Sequence, residues 1–133
     1  MSGDLGPEVV VRAAARAIER HPMLELILVG DEEQLRELVT RIAGTEPRIR
    51  IRHAGEVVTM SDSPVDALRK KKDSSMRVAI NLVKDGTAEA CVSAGNTGAL
   101  MATAKFVLKM LPGIDWPAII TELPAKGGSL HML

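Results

Sequence analysis

The stretch that decides the fold is CVSAGNTGALMATAKF, residues 91–106. It begins as a short apolar run, changes to glycine and small polar residues at 93–98, and continues with alanine and methionine at helical spacing. A short apolar run that ends at glycine is typical of a buried strand, and the pattern after it is typical of a helix. The stretch therefore predicts a strand over 88–94, a glycine-rich loop, and a helix over 99–110.

The rest of the chain repeats this alternation of helix and strand patterns. PEVVVRAAARAIERHP (7–22) predicts a helix, with Pro7 in its first turn and Pro22 at its end. LELILVG (24–30) predicts a buried strand, and RIRIRHA (48–54) alternates as a strand with one buried face does. Such alternation favours an α/β fold with a mostly parallel sheet covered by helices. Further predicted elements are helices at 32–43, at 63–71 and from Ser74 or Ser75 to Gly86, and strands at 117–123 and at the start of GGSLHML (127–133).

Capping residues predict where these helices begin, and apolar stripes predict which of their faces are buried. Asp31 precedes the second helix pattern and is expected to cap it, and Ser63 with Pro64 marks the start of the third. The second helix directs Leu35, Leu38, Val39 and Ile42 to one face. For the first helix, the spacing predicts a stripe of Val10, Ala13, Ala14, Ala17 and Ile18.

Composition narrows the function classes. The 133 residues suffice for one domain, and 46% hydrophobic with 26% charged residues is a globular composition. A net charge of zero and only two aromatic residues, Phe106 and Trp116, give no reason to expect a nucleic-acid partner. No apolar run approaches the ~20 residues of a membrane span. Cys91 is the only cysteine, which excludes an internal disulfide; we expect a buried thiol and a cytoplasmic protein.

The glycine-rich loop at 93–98 has two possible roles. Ligands of parallel α/β sheets bind beyond the carboxyl ends of strands, where the N-terminus of the next helix favours an anion. Gly95 and Gly98 would let the backbone approach a ligand, while Ser93, Asn96 and Thr97 add side-chain donors, so the loop has the chemistry of a phosphate cradle. The alternative is that Asn96 or Thr97 only caps the helix.

Two other segments are weaker candidates for binding. In SGDLGP (2–7), Gly3 and Asp4 precede the first helix, and a capped helix start explains them equally well. The basic run Arg69, Lys70, Lys71 and Lys72 is either a docking patch for an acidic partner or phosphate, or a solvated helix end. The three histidines are scattered without metal-ligand spacing, and no metal site is predicted.

Several of these stretches together resemble the phosphate acyltransferase (PlsX) family of bacterial phospholipid synthesis. The similar stretches are SGDLGPEVVVRAA and SSMRVAINLVKDGTAEACVSAGNTGALMATA, in this order, and the resemblance covers residues 2–133. It implies a Rossmann-like three-layer α/β/α sandwich of the phosphotransacetylase and isopropylmalate dehydrogenase kind. It also implies transfer of a fatty acyl group from acyl carrier protein to inorganic phosphate, giving acyl phosphate for a membrane glycerol-3-phosphate acyltransferase.

The resemblance implies further properties of the protein and its site. The family forms homodimers, needs no cofactor, and works in the cytoplasm with peripheral association to the inner face of the membrane. Carried onto this sequence, the catalytic candidates are Asp4, Asn96 and Thr97, where Asp4 orients loop groups or accepts a proton. Phosphate-binding candidates are Gly3, Ser74, Ser75, Ser93, Gly95, Asn96, Thr97 and Gly98, and the run from Arg69 to Lys72 would meet the carrier protein.

Departures from the family pattern concern the two ends. The family has M-G-G-D-x-G-P after a first strand, whereas here Ser2 replaces a glycine and that strand is absent. The segment 127–133 resembles the entry to a strand whose continuation is absent. We therefore expect one partial α/β domain over 1–133, which could be inactive alone. The alternatives are a phosphotransacetylase-like enzyme that uses acyl-coenzyme A and a non-catalytic phosphate-binding module.

Overall fold

The computed structural model describes residues 5–132 and contains both helices and strands in the predicted alternation over its first half. The predicted site residues Gly3 and Asp4 lie outside the described residues. The elements in chain order are α1 (Gly6–Arg20), β1 (Leu26–Gly30), α2 (Glu32–Ala43), β2 (Ile49–His53), α3 (Pro64–Lys70), α4 (Ser75–Lys84), α5 (Thr97–Leu108), β3 (Thr121–Ala125) and β4 (Gly128–Met132).

Strands β1 and β2 pair in parallel and carry the first part of the core. Their register places Leu26 opposite Ile49 and Leu28 opposite Ile51. These side chains pack with the apolar faces of α1 and α2, as expected for a sheet that buries one face under helices. The buried members of this core are Val11, Ala14, Ile18, Leu28, Leu35, Leu38, Val39 and Ile49.

A second core joins the helices that follow the sheet. α5 packs against both α3 and α4, and α4 contacts β1. The buried members are Val58, Ala67, Met76, Ile80, Ala99 and Val107. Because Val58 lies in the loop after β2, this core also fixes that loop. The α/β class is confirmed, and the arrangement is that of an incomplete Rossmann-like fold.

The last two strands form a hairpin rather than an extension of the parallel sheet. β3 and β4 are antiparallel, with Ala125 opposite Gly128. The connection has two residues, of which Gly127 has φ +89°, a conformation that glycine adopts without strain. Every residue of both strands is exposed. The strand predicted to begin in 127–133 is confirmed, whereas the one predicted over 117–123 begins only at Thr121.

Three other sequence predictions are wrong in detail. Residues 88–94 form no strand, and Val92 is 99% exposed; an apolar run becomes a strand only by pairing, and neither β1 nor β2 pairs with it. Cys91 is therefore exposed rather than buried. In α1, Ala14 and Ile18 of the predicted stripe are buried, but Val11 takes the place of the exposed Val10 and Ala13.

Candidate functional site

The N-terminus of α5 is built by Asn96. Its side-chain Oδ1 accepts a hydrogen bond from the Ala99 N–H at 3.0 Å, the bond of a helix N-cap. One turn earlier, Ser93 Oγ accepts from the Gly95 N–H at 3.2 Å and turns the chain toward the helix. Asn96, rather than Thr97, is therefore the N-cap of α5; a phosphate-binding role for the rest of the loop stays a prediction.

The other end of the Asn96 amide reaches across to the loop between β2 and α3, residues 54–63. Its Nδ2 lies 3.2 Å from the carbonyl oxygens of Thr59 and Met60 and 2.9 Å from that of Asp62. An amide group has two N–H donors, so these carbonyl groups use both of them. Asn96 thus joins the β2–α3 loop to α5, and its hydrogen bonds do not support a role as a side-chain donor to phosphate.

The other residues of the glycine-rich loop stay available at its surface. Thr97 and Gly98 are exposed in the first turn of α5, whose N–H groups have no acceptor within the helix. Gly98 also faces α3, and a Cβ at this position would lie 3.3 Å from Pro64 Cγ. Glycine therefore permits the close approach of the first turns of α3 and α5, while leaving backbone donors accessible beside the Thr97 hydroxyl.

Lys71, at the C-terminal end of α3, holds the β2–α3 loop through Val57 and Asp62. Lys71 Nζ donates to the Val57 carbonyl at 2.8 Å and to Asp62 Oδ2 at 2.5 Å. The same carboxylate oxygen accepts from the Thr59 N–H at 2.6 Å. The hydrogen bond from Lys71, followed by that from Thr59, holds the pKa of Asp62 below its usual value. The ionised carboxylate is thus part of the loop structure.

A second clamp holds the start of the same loop against α4. The Gly55 N–H donates to Asp73 Oδ2 at 2.8 Å, and the Asp73 N–H donates to Glu56 Oε2 at 2.9 Å. The Ser75 N–H donates to the Glu56 carbonyl at 3.0 Å. A Cβ at Gly55 would lie 2.9 Å from Asp73 Oδ2, so a larger residue here would displace the Asp73 carboxylate. Both ends of the β2–α3 loop are therefore fixed to helix N-termini.

Ser74 and Ser75 belong to this clamp. Ser74 is 1% exposed; its Oγ accepts from the Arg77 N–H at 3.3 Å and donates to the Lys71 carbonyl at 2.8 Å. Ser75 is also buried. The prediction that one of these serines caps α4 is confirmed for Ser74. A part for either in phosphate binding stays a prediction.

The four residues of the basic run differ in their surroundings. Arg69 and Lys72 are exposed. Lys70 is also exposed, and it pairs with Asp66 at 2.7 Å one turn earlier; that hydrogen bond raises the pKa of Lys70. The side chain of Lys71 is only 27% exposed. A docking surface could therefore use three of these cations, while the fourth holds the β2–α3 loop.

Sequence reasoning did not identify Glu56, Asp62 or Asp73 as members of the site. Asp62 and Asp73 are acidic residues in turns, where local capping is the ordinary explanation, and Glu56 forms a single β-bridge with Ser74 that no sequence pattern marks. The only available signal was the SDSP segment (61–64), which marks a tight helix start. Contacts such as that of Asp62 with Lys71 and Asn96 join distant positions, and a spacing pattern cannot predict them.

Two findings concern other kinds of site. No helix within residues 5–132 combines the length and the apolar composition that a transmembrane span requires. In the same part of the chain, His, Cys, Asp and Glu residues form no group of three that could hold a metal ion.

Fold and site together define an α/β protein whose glycine-rich loop opens into a capped helix and is held by the loop after a parallel strand. The comparison with family models specifies the class further: the model described as fatty acid synthesis protein matches residues 1–133. The chain belongs to this family.

Curated relatives of high identity share a single name. A protein named phosphate acyltransferase from Methylococcus capsulatus is 62% identical over 135 residues, which cover 100% of this chain and 40% of the relative. Proteins of the same name from Halorhodospira halophila and Legionella pneumophila are 60% and 55% identical over 134 residues, covering 100% of this chain and 39% of each relative. The chain thus spans about 40% of the length of the relatives it matches.

Proposed function

We propose that this protein is a phosphate acyltransferase that moves a fatty acyl group from acyl carrier protein to inorganic phosphate. The acyl phosphate would enter phospholipid biosynthesis. The observation that carries the proposal is the 62% identity, over the whole chain, to a relative named phosphate acyltransferase. The carrier-protein donor rests on the family resemblance of the stretches that contain SSMR and SAGNTG (93–98).

The proposed reaction is attack of a phosphate oxygen on the thioester carbonyl carbon. The new C–O bond forms, a tetrahedral oxyanion develops, and the C–S bond breaks so that the carrier's thiol leaves with a proton. Phosphate is already nucleophilic at neutral pH, so the site must chiefly hold an anion in line and stabilise the oxyanion. Backbone N–H groups at a helix N-terminus suit the first task.

We assign the phosphate-binding role to the exposed part of the glycine-rich loop. Thr97 and Ser93 would supply hydroxyl donors, and the N–H groups of Thr97 and Gly98 would supply backbone donors. Gly95 and Gly98 would allow the ligand to approach the main chain. The hydrogen bonds of Asn96 favour a different part for it, holding the β2–α3 loop against the N-terminus of α5. Asp4, as a carboxylate, would repel phosphate and is proposed to orient loop groups or to accept a proton.

Partners follow from the same proposal. The exposed cations Arg69, Lys70 and Lys72 would meet the acidic carrier protein. Charge reversal of Lys70 and Lys72 to glutamate, in a full-length protein, should weaken carrier-protein binding and flatten its salt dependence. An unchanged salt slope would leave these residues as a solvated helix end.

We further propose that the protein forms a homodimer. It would work in the cytoplasm at the inner face of the membrane and deliver its product to a membrane glycerol-3-phosphate acyltransferase.

Phosphate binding is tested first, by thermal unfolding of the 133-residue chain with and without phosphate. At ten times the dissociation constant, a site-bound ligand stabilises the chain by roughly 1.4 kcal/mol, or about 3–6 °C. Thr97→Ala is the control, because phosphate also stabilises proteins by exclusion from their surfaces. A shift that Thr97→Ala loses supports the site; equal shifts in both chains would reduce the loop to a helix cap.

The acyl donor is tested by thiol release in a full-length protein. Release from acyl carrier protein in the presence of phosphate is the expected result. Release from acyl-coenzyme A instead would make the protein a phosphotransacetylase-like enzyme. Phosphate binding without thiol release from either donor would make it a non-catalytic phosphate-binding module.

A further inference from the structure

Lys71 differs from the other cations of the basic run in what it touches. Its side chain is 27% exposed, against 75% for Lys70. Its ammonium group donates to two oxygens of the β2–α3 loop, the Val57 carbonyl and the Asp62 carboxylate. Lysine can serve both because its ammonium group is a compact charge with three donors. The ammonium group of Lys71 is therefore engaged with the β2–α3 loop rather than with solvent.

Asp62 links Lys71 to α5, because its side chain contacts Lys71 and its main-chain carbonyl contacts Asn96. The carboxylate that accepts from Lys71 also accepts from the Thr59 N–H, which fixes the turn 59–62. The carbonyl oxygens of Thr59 and Asp62 are then presented to the Asn96 amide, at 3.2 and 2.9 Å from its Nδ2. The opposite end of that amide caps α5 at the Ala99 N–H. A continuous series of hydrogen bonds therefore leads from Lys71 to the first turn of α5.

We propose that Lys71 is a positioning residue for the N-terminus of α5 and acts through Asp62 and Asn96. The proposal rests on the proposed function, because it makes Lys71 a determinant of phosphate binding without contact to the phosphate. Removal of the ammonium group leaves the Asp62 carboxylate without its cation and the Val57 carbonyl without its donor, so within the loop the bonds between Thr59 and Asp62 are left to hold the turn 59–62. Asn96 then loses the fixed carbonyl oxygens that orient it, and the first turn of α5 opens more often.

The test compares Lys71→Met with Lys70→Met in the 133-residue chain. Both variants remove one lysine and one ion pair from neighbouring positions, but only the first removes a hydrogen bond to the β2–α3 loop. Hydrogen exchange by NMR follows the Ala99 and Thr59 N–H groups, which report the two ends of the series. We expect Lys71→Met to raise both exchange rates about tenfold through local opening, and Lys70→Met to leave them within about twofold of the parent.

Phosphate titration of the same chains gives the functional measurement. The phosphate dissociation constant is measured from the amide chemical shifts of Thr97 and Gly98. We expect Lys71→Met to raise this constant about three- to tenfold. Lys71→Arg should restore most of the affinity, since arginine keeps the charge and the donors. If Lys71→Met unfolds the chain, Asp62→Asn is used as the test variant instead, because it removes the carboxylate that accepts from Lys71.

The outcomes separate the positioning role from the phosphate site itself. Equal exchange at Ala99 in Lys71→Met and Lys70→Met would overturn the positioning role. Faster exchange with unchanged phosphate affinity would overturn the functional half of the proposal. If the parent chain shows no phosphate-induced shifts at α5, the proposed phosphate site fails, and exchange at Ala99 and Thr59 still decides whether Lys71 positions the helix.

Discussion

Replacement of Asn96 separates its two structural roles. In Asn96→Ser, a hydroxyl can still cap α5 but is too short to reach the carbonyl oxygens of the β2–α3 loop. In Asn96→Ala, both the cap and the bridge are lost. The pair of variants therefore measures the bridge as the difference between parent and serine, and the cap as the difference between serine and alanine.

The magnitudes follow from the hydrogen bonds. The amide's two donors serve carbonyl groups at 2.9–3.2 Å, and a net contribution of about 0.5–1 kcal/mol for each gives about 1–2 kcal/mol for the bridge. The cap at Ala99 contributes about 1 kcal/mol. We therefore expect Asn96→Ser to lower the free energy of unfolding by about 1–2 kcal/mol and Asn96→Ala by about 2–3 kcal/mol.

The assay is urea unfolding followed by far-UV circular dichroism. With an m value of about 1.5 kcal/mol/M, Asn96→Ser should lower the midpoint by about 1 M, and Asn96→Ala by up to about 2 M. Thr97→Ala, at the next and exposed position, is the matched control and should change the midpoint little. A serine variant as stable as the parent would refute the bridge, since the cap alone would then account for Asn96.

Two further predictions concern the other contacts of the β2–α3 loop. Gly55→Ala should destabilise the chain by about 0.5–1 kcal/mol in the same urea assay, because its Cβ would lie 2.9 Å from Asp73 Oδ2 and would displace that carboxylate from its hydrogen bond with the Gly55 N–H. Gly128→Ala meets nothing within 4 Å and should be close to neutral, so similar effects of the two would contradict the close approach. The folded-state pKa of Asp62 is lowered, so its contribution to stability is present above the unfolded pKa and is lost as pH falls through the folded pKa. The stability difference between parent and Asp62→Asn, measured by unfolding across the acid range, should therefore shrink as pH falls; a difference independent of pH would mean that the charge of Asp62 contributes nothing.

Local patterns predicted the parts of this structure that are fixed locally. The caps Asp31, Ser63 and Ser74 each accept from an N–H three residues later, and sequence spacing is sufficient to find such bonds. The buried face of α2 was also predictable, because Leu35, Leu38 and Val39 lie on one side of the helix and the sequence offers no competing apolar stripe.

Non-local pairing was the main source of error. Residues 88–94 have the apolar composition of a strand, but a strand needs a partner, and sequence composition does not say which partner is present. The face of α1 was misplaced for a related reason: Val9, Val10 and Val11 offer adjacent alternatives, and packing against the sheet selects Val11.

The candidate site was predictable in part. The glycine-rich loop and its cap followed from SAGNTG (93–98). The contact between Asn96 and the turn 59–62 did not, because it joins residues more than thirty positions apart. Lys71 and Lys72 are indistinguishable as sequence, and only the fold gives Lys71 its contacts with the loop.

Asn96 recognises the β2–α3 loop through main-chain oxygens, which nearly every residue type supplies in the same way. The side chains of Thr59 and Met60 are exposed and do not provide the contact. Tolerance to mutation should therefore be one-sided: a library randomised at positions 59 and 60 would keep most members folded, whereas a library randomised at 96 would keep few. For engineering, the loop is the place to vary surface chemistry, and the single asparagine is the position to leave unchanged.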